Sequence, residues 1–300
     1  MSCFKCLVAA AATLASSVSY AAGPVQETAS GLRFELAAEF IWLERGETEN
    51  IPLAAPGLSS DEVDLEGAPG VGLEGAAFMG DFGIGARFMG GFEWDETAAL
   101  ADADTFFSLP TINVPGGAPA TFDYSSELNS FEGNLIWSAH RQFAVFAGVR
   151  AVELDESLLT DIDNGAATYG VETSNDMLGP QIGIAADLGE GPGFFLHGDA
   201  RLAFLFNDRE VDFTTAGIGG PLPSGSASDE TESLLLELSA RAGYRFDRFE
   251  LFGSYRYLQI EDVAIATENY DAVNIDTGAG SPQGSDLDFH AFTIGVRAAF

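Results

Sequence analysis

Three hundred residues, 46% of them hydrophobic and only 20% charged, describe a chain able to bury or present much apolar surface, which excludes a disordered or collagen-like protein. Its 13 Lys and Arg stand against 46 Asp and Glu, for a formal net charge of -33. Nucleic acid is thereby a poor partner, because its phosphates need clustered positive charge.

The chain opens with Met1 to Cys6, a short positively charged start, followed by the apolar run Leu7 to Ala15 and the small-residue pattern Ser19-Tyr20-Ala21. That order reads as a secretory signal over residues 1–21, cut after Ala21. A short periplasmic segment, 22–31, is expected next, and residues 32–300 are expected to form one domain. Both cysteines, Cys3 and Cys6, lie inside the leader, as does Lys5, the sole lysine. Neither cysteine has the context that lipid attachment needs, so disulfides, thiol chemistry and a cysteine lipid anchor are not expected. Beyond the leader no apolar run is long enough for a membrane helix.

The rest alternates at period two. From Leu32 to Trp42 the even positions are all apolar, while Arg33, Glu35 and Glu39 occupy odd ones. Similar segments recur at about 69–79, 82–94, 124–137, 143–153, 177–188, 194–206, 233–245, 249–258 and 289–300. Gly80-Asp81, 138–142, 189–193 and 246–248 are tight connections; 45–68, 95–123, 154–176, 207–232 and 259–288 are long ones. Short turns at one end and long loops at the other predict an all-β, transmembrane, antiparallel up-and-down barrel of about ten strands. A further hairpin within 104–123, broken by Pro110, would raise the count to twelve. A soluble β-sandwich also alternates, but the strand lengths and the many large apolar residues disfavour it.

Charge placement fits the same scheme. The face opposite the apolar one carries Arg33, Glu35, Glu39, Glu74, Arg87, Glu93, Glu132, Arg150, Asp187, Asp199, Arg201, Glu237, Arg241, Arg245, Glu250, Arg256 and Arg297. These are expected to line the lumen as Arg–carboxylate pairs, since unpaired charges there would be costly. The phase of Ser126 to Ser130 is ambiguous. With ten strands the passage is narrow, between the filled interior of about eight strands and the channel of about sixteen. Most acids fall in the five long connections, with only Arg45 and Arg209 to offset them, a field that attracts cations at the outer mouth. Solubility, and bridging through divalent ions to lipopolysaccharide, is the plainer use of such loops. The closing strand presents Phe292, Ile294, Val296 and Phe300 on one face, a pattern that resembles the signal read by barrel-assembly machinery.

Other motifs are weak. Asp161-Ile-Asp163-Asn164-Gly165 with Glu172 resembles a calcium loop, but its turn glycine is misplaced. Gly70-Val-Gly72-Leu-Glu-Gly75 begins a strand where dinucleotide binding needs a strand before and a helix after. Asp288 and His290 have the residue types of a rim protease, but His290 shares the lipid-facing phase of Phe292. His197 and Asp199 near Arg201 read as structural polar contacts, His140 sits in a tight turn, and zinc is poorly supplied with ligands. No cofactor and no enzymatic activity are expected.

Phe131-Glu-Gly-Asn-Leu, the run Phe143 to Leu158, Gly179-Pro-Gln-Ile-Gly183, Gly243-Tyr-Arg245, Tyr255-Arg-Tyr-Leu258 and the closing strand resemble the pore-forming major outer-membrane proteins of Legionella type. That resemblance implies a bacterial outer-membrane, porin-like barrel without cofactor. The sequence reading therefore favours a narrow channel for small solutes, with a non-conducting structural or adhesive surface barrel as the alternative. Oligomeric state is not legible.

Overall fold

The computed structural model describes residues 31–46, 52–55, 58–59, 67–106, 113–140, 142–163, 165–189, 191–217, 224–269 and 281–300. The expected signal segment 1–21 and residues 22–30 lie outside them. The strands are β1 (Leu32–Arg45), β2 (Pro52–Ala55), β3 (Leu58–Ser59), β4 (Gly67–Met79), β5 (Phe82–Phe106), β6 (Asn113–His140), β7 (Phe143–Ile162), β8 (Ala167–Leu188), β9 (Gly193–Ala216), β10 (Gly225–Arg245), β11 (Phe249–Val263) and β12 (Ser285–Ala299). The short β2 and β3 pair with each other, and β2 with the end of β5. The other ten close into an antiparallel ring, because β1 pairs with both β4 and β12 and β5 with both β4 and β6.

Side chains in this ring follow two opposite rules. Toward the tight turns the outer face is apolar: Phe40, Ile84, Leu135, Ile182, Phe194, Leu251 and Ile294 are all exposed there. Further along the strands the rule reverses. In β9 the even, outward positions run Leu202, Phe204, Phe206 and then Asp208 and Glu210, while the inward ones run Asp199, Arg201 and then Ala203, Leu205, Val211 and Phe213. The first zone suits a nonpolar surrounding, and the second packs like a water-soluble sheet with its core inside.

That reversal corrects the expected loops. Stretches 95–123, 154–176 and 207–232 are mostly strand, and β5 to β10 continue far beyond the apolar belt. At about 3.3 Å per residue and a tilt near 40°, the 24 residues of β9 rise about 60 Å, against a belt of about 25 Å. β11, β12, β1 and β4 are shorter, so among the described ring strands those of one side stand tall at the far end and those of the other stop earlier. The twelve-strand option is also corrected: β5 and β6 remain paired out to Thr105 and Asn113, while 107–112 lies outside the described residues. Ser126, Leu128 and Ser130 all point inward.

Gly91 accounts for one misplaced residue. It adopts φ +75° at a register shift between Met89 and Phe92. Such a bulge inserts an extra residue and exchanges the faces beyond it. Phe92 and Trp94 therefore turn inward, and Glu93, expected in the lumen, is on the outer face.

Candidate functional site

The interior is stacked in layers. Nearest the tight turns is a polar vestibule of about 520 Å³, whose lining includes Arg33, Glu35, Asp187, His197, Arg245 and Arg248. Arg33 is open to solvent there, at 57% side-chain exposure, 3.2 Å from Glu35 and over the Phe78 ring. Arg245 joins Glu250 at 2.6 Å and Asp187 at 3.4 Å. His197 sits 3.7 Å from Asp187 and 3.8 Å from Asp199, while Arg297 holds Glu74 at 3.0 Å.

Above the vestibule the charges lose contact with water. Glu237, whose side chain is fully buried, receives Arg87 and Arg150 at 2.7 Å each and Arg256 at 3.2 Å. Glu132 pairs with Arg87 at 2.6 Å and with Arg201, which also reaches Asp199 at 2.8 Å. Glu39 holds Arg241 at 3.0 Å and Arg256 at 3.4 Å. These groups come from strands around the ring and meet at its axis. The geometry is that of a crosslinked ionic layer, with Arg150, Glu132 and Glu237 all buried.

Beyond it comes an apolar layer that includes Ile41, Phe92, Leu128, Leu154, Leu205 and Leu235, all buried. The chain itself then enters the barrel. After β11, residues 263–267 and Asn269 run through the interior with no exposed surface. Asn175 donates from Nδ2 to the Ala264 carbonyl at 2.8 Å, and its Oδ1 accepts the Ala264 N–H at 2.7 Å. Glu156 accepts the Ala266 N–H at 2.9 Å; the same carboxylate pairs with Arg45 and accepts from Tyr124 at 2.9 Å and from Ser126 at 3.3 Å. Burial, together with the Glu156 charge, pushes the Tyr124 phenol well above its ordinary range.

The bend into this segment is Asp262, at φ +57°. Arg209 grips Asp229 through two bonds, of 2.8 and 2.7 Å, and Asp262 through a third of 2.8 Å. Thr231 donates to the other Asp262 oxygen at 2.7 Å. Hydrogen bonding to Asp229, with the charges of both aspartates, raises the Arg209 pKa above its usual value. The sequence reading places Arg45, Glu156, Asn175 and Arg209 in long connections and Tyr124 at the first residue of a strand, with no role for any of them. Each lies where apolar inward positions replace the outward ones, and that shift of phase was the available signal.

Phe292, Ile294, Val296 and Phe300 are exposed on the outside, and Phe300 is bonded to Phe34 through both backbone groups, at 2.8 and 3.1 Å. His290 is also outside, with Tyr255 at 2.6 Å and Asp288 at 3.2 Å. Asp161, near the end of β7, accepts from the Gly165 N–H at 2.6 Å, and Glu172 is on strand β8. Among the described residues no group of three His, Cys, Asp or Glu is placed to hold a metal ion.

No family model and no curated protein matches the chain, so its resemblance to the Legionella-type proteins rests on the residues quoted for it. Solved structures similar to it include the outer membrane protease OmpT from Escherichia coli, at 11% identity and TM-score 0.43, over 90% of this chain and 96% of that one. The translocator domain of the autotransporter NalP from Neisseria meningitidis gives 13% and 0.42, over 99% and 98%. The Ralstonia pickettii toluene transporter TbuX gives 10% and 0.31, over 91% and 88%.

Proposed function

We propose that the chain is a bacterial outer-membrane barrel that works at the cell surface as a closed body. The apolar outer belt supports a membrane setting, and the tight turns beside it are the periplasmic end of that reading. The observation that carries the closed state is the stacking of an ionic layer, an apolar layer and an inward chain segment inside one ring. Ions crossing it would have to break buried Arg–carboxylate pairs and then pass a hydrocarbon plug. This favours the non-conducting surface barrel over the narrow solute channel.

Under this reading the tall wall stands outside the membrane with its carboxylates facing outward. Asp176, Asp208 and Glu230 are direct cross-strand neighbours there, as are Glu172 and Asp212. Lipopolysaccharide phosphates, bridged by divalent cations, are the fitting surroundings for such a face. Membership of the Legionella-type family, with its porin-like activity, stays the second reading, favoured by the vestibule that leads to the ionic layer. Single-channel recording on the refolded protein in planar bilayers tests the choice. Silence from folded, heat-modifiable protein is expected, and reproducible current steps with a cation-leaning reversal potential would return the channel.

A further inference from the structure

The inward segment is held unlike ordinary core filling. Its side chains Val263, Ala264, Ile265 and Ala266 are small or aliphatic, and the polar side chains of the barrel wall address its backbone. Asn175 gives Ala264 both an acceptor and a donor, the pair of bonds that a neighbouring strand would supply. Glu156 then takes the N–H of Ala266, two residues on, where the segment begins to turn and the Asn269 N–H closes back on the Ile265 carbonyl at 3.1 Å. Asn207 and Ser233 donate to the carbonyl of Asp262, at 3.4 and 3.2 Å. Side chains of β7, β8, β9 and β10 thus copy the hydrogen-bonding edge of a strand.

The segment is also tied as a unit. Asn269 exchanges two bonds with Gln283, of 3.1 and 2.8 Å, joining its exit to the chain that returns into β12. Its entry is a single bend, where β11 loses register between Ile260 and Val263 and a non-glycine residue takes a left-handed conformation. Arg209 and Thr231 fix that bend from the wall. A bend pinned by side chains, a body closed on itself and a wall that reads backbone are the parts of a latched strap.

We propose that residues 262–269 are such a strap, the cis occupant of a backbone-reading pocket at the far end of the barrel. The ligand class of that pocket is a peptide with small or β-branched side chains that enters extended and then turns, as 262–269 does. Main-chain bonds to Asn175 and Glu156 supply the affinity, and the apolar surroundings of Val263 and Ile265 select side chains, as where a peptide is added along a sheet edge. The ionic layer lies deeper and is independent of the latch, so release of the strap uncovers a pocket and leaves the barrel closed to ions.

The test places a cysteine at Ala264→Cys in a Cys3→Ser, Cys6→Ser background and follows its reaction with a membrane-impermeant maleimide in detergent-folded protein. With the latch intact, Cys at this position is expected to be protected. Asn175→Ala and Arg209→Gln are each expected to speed its labelling about tenfold to a hundredfold, because the lost bonds favour local opening. A synthetic peptide of residues 261–268 is expected to bind the Arg209→Gln protein and to bind the latched protein more weakly. Equal protection in all variants would make the strap permanent packing and overturn the proposal, as would free labelling with the latch intact. Faster labelling without peptide binding would overturn the ligand class, and current steps from Arg209→Gln would make the strap a channel gate instead. Should Ala264→Cys fail to fold, amide exchange at residues 263–266 in the same latch variants reads the same opening.

Discussion

Glu237 is the residue on which the ionic layer turns. Several guanidinium groups converge on a carboxylate that has no exposed surface, so its removal leaves buried positive charge facing positive charge. Glu237→Ala is expected to cost about 3–5 kcal/mol, read as a lower urea midpoint of unfolding. Arg33→Ala, at the open rim of the vestibule, should change stability by less than about 1 kcal/mol and so leave that midpoint nearly in place. Tyr124 makes a prediction in pH. Its phenol is raised in the folded chain, so its stabilising effect is complete below the unfolded value of about 10 and is lost as pH climbs from there toward the folded value. Stability should fall above about pH 10, and less steeply in Tyr124→Phe.

At the scale of elements, like charges directly opposite one another weaken a sheet. Asp208 on β9 faces Asp176 on β8 and Glu230 on β10. Asp208→Asn should raise stability by a few tenths of a kcal/mol per relieved pair at low ionic strength, and the gain should fade in high salt or with millimolar calcium. Equal gains at all salt concentrations would mean that repulsion is not the cause. The same strands show what a sequence discloses. β1 kept one phase throughout, so its strand and its inward Arg33, Glu35 and Glu39 were legible from alternation alone. β9 was legible only to Phe206, because past that point the inward positions become the apolar ones and a period-two test run in a single phase reads noise. Gly91 hid the facing of Glu93 for a similar reason: one extra residue exchanges the two faces, and Gly90-Gly91 gives no sign of which glycine takes the bulge. Asn175 and Glu156 were beyond reach altogether, since their roles depend on a segment some ninety and 110 residues later in the chain, joined to them only by closure of the ring.

Seen whole, the molecule is one sheet serving two solvents, inside-out near the tight turns and conventionally packed beyond them. Its profile also lacks the symmetry of a tube. With β5 to β10 tall and the strands β11, β12, β1 and β4 short, the described strands give the barrel two unlike sides. In the membrane setting proposed above, a neighbour on the tall side would meet a cliff of carboxylates standing above the lipid, which gives the molecule a compass bearing among its neighbours.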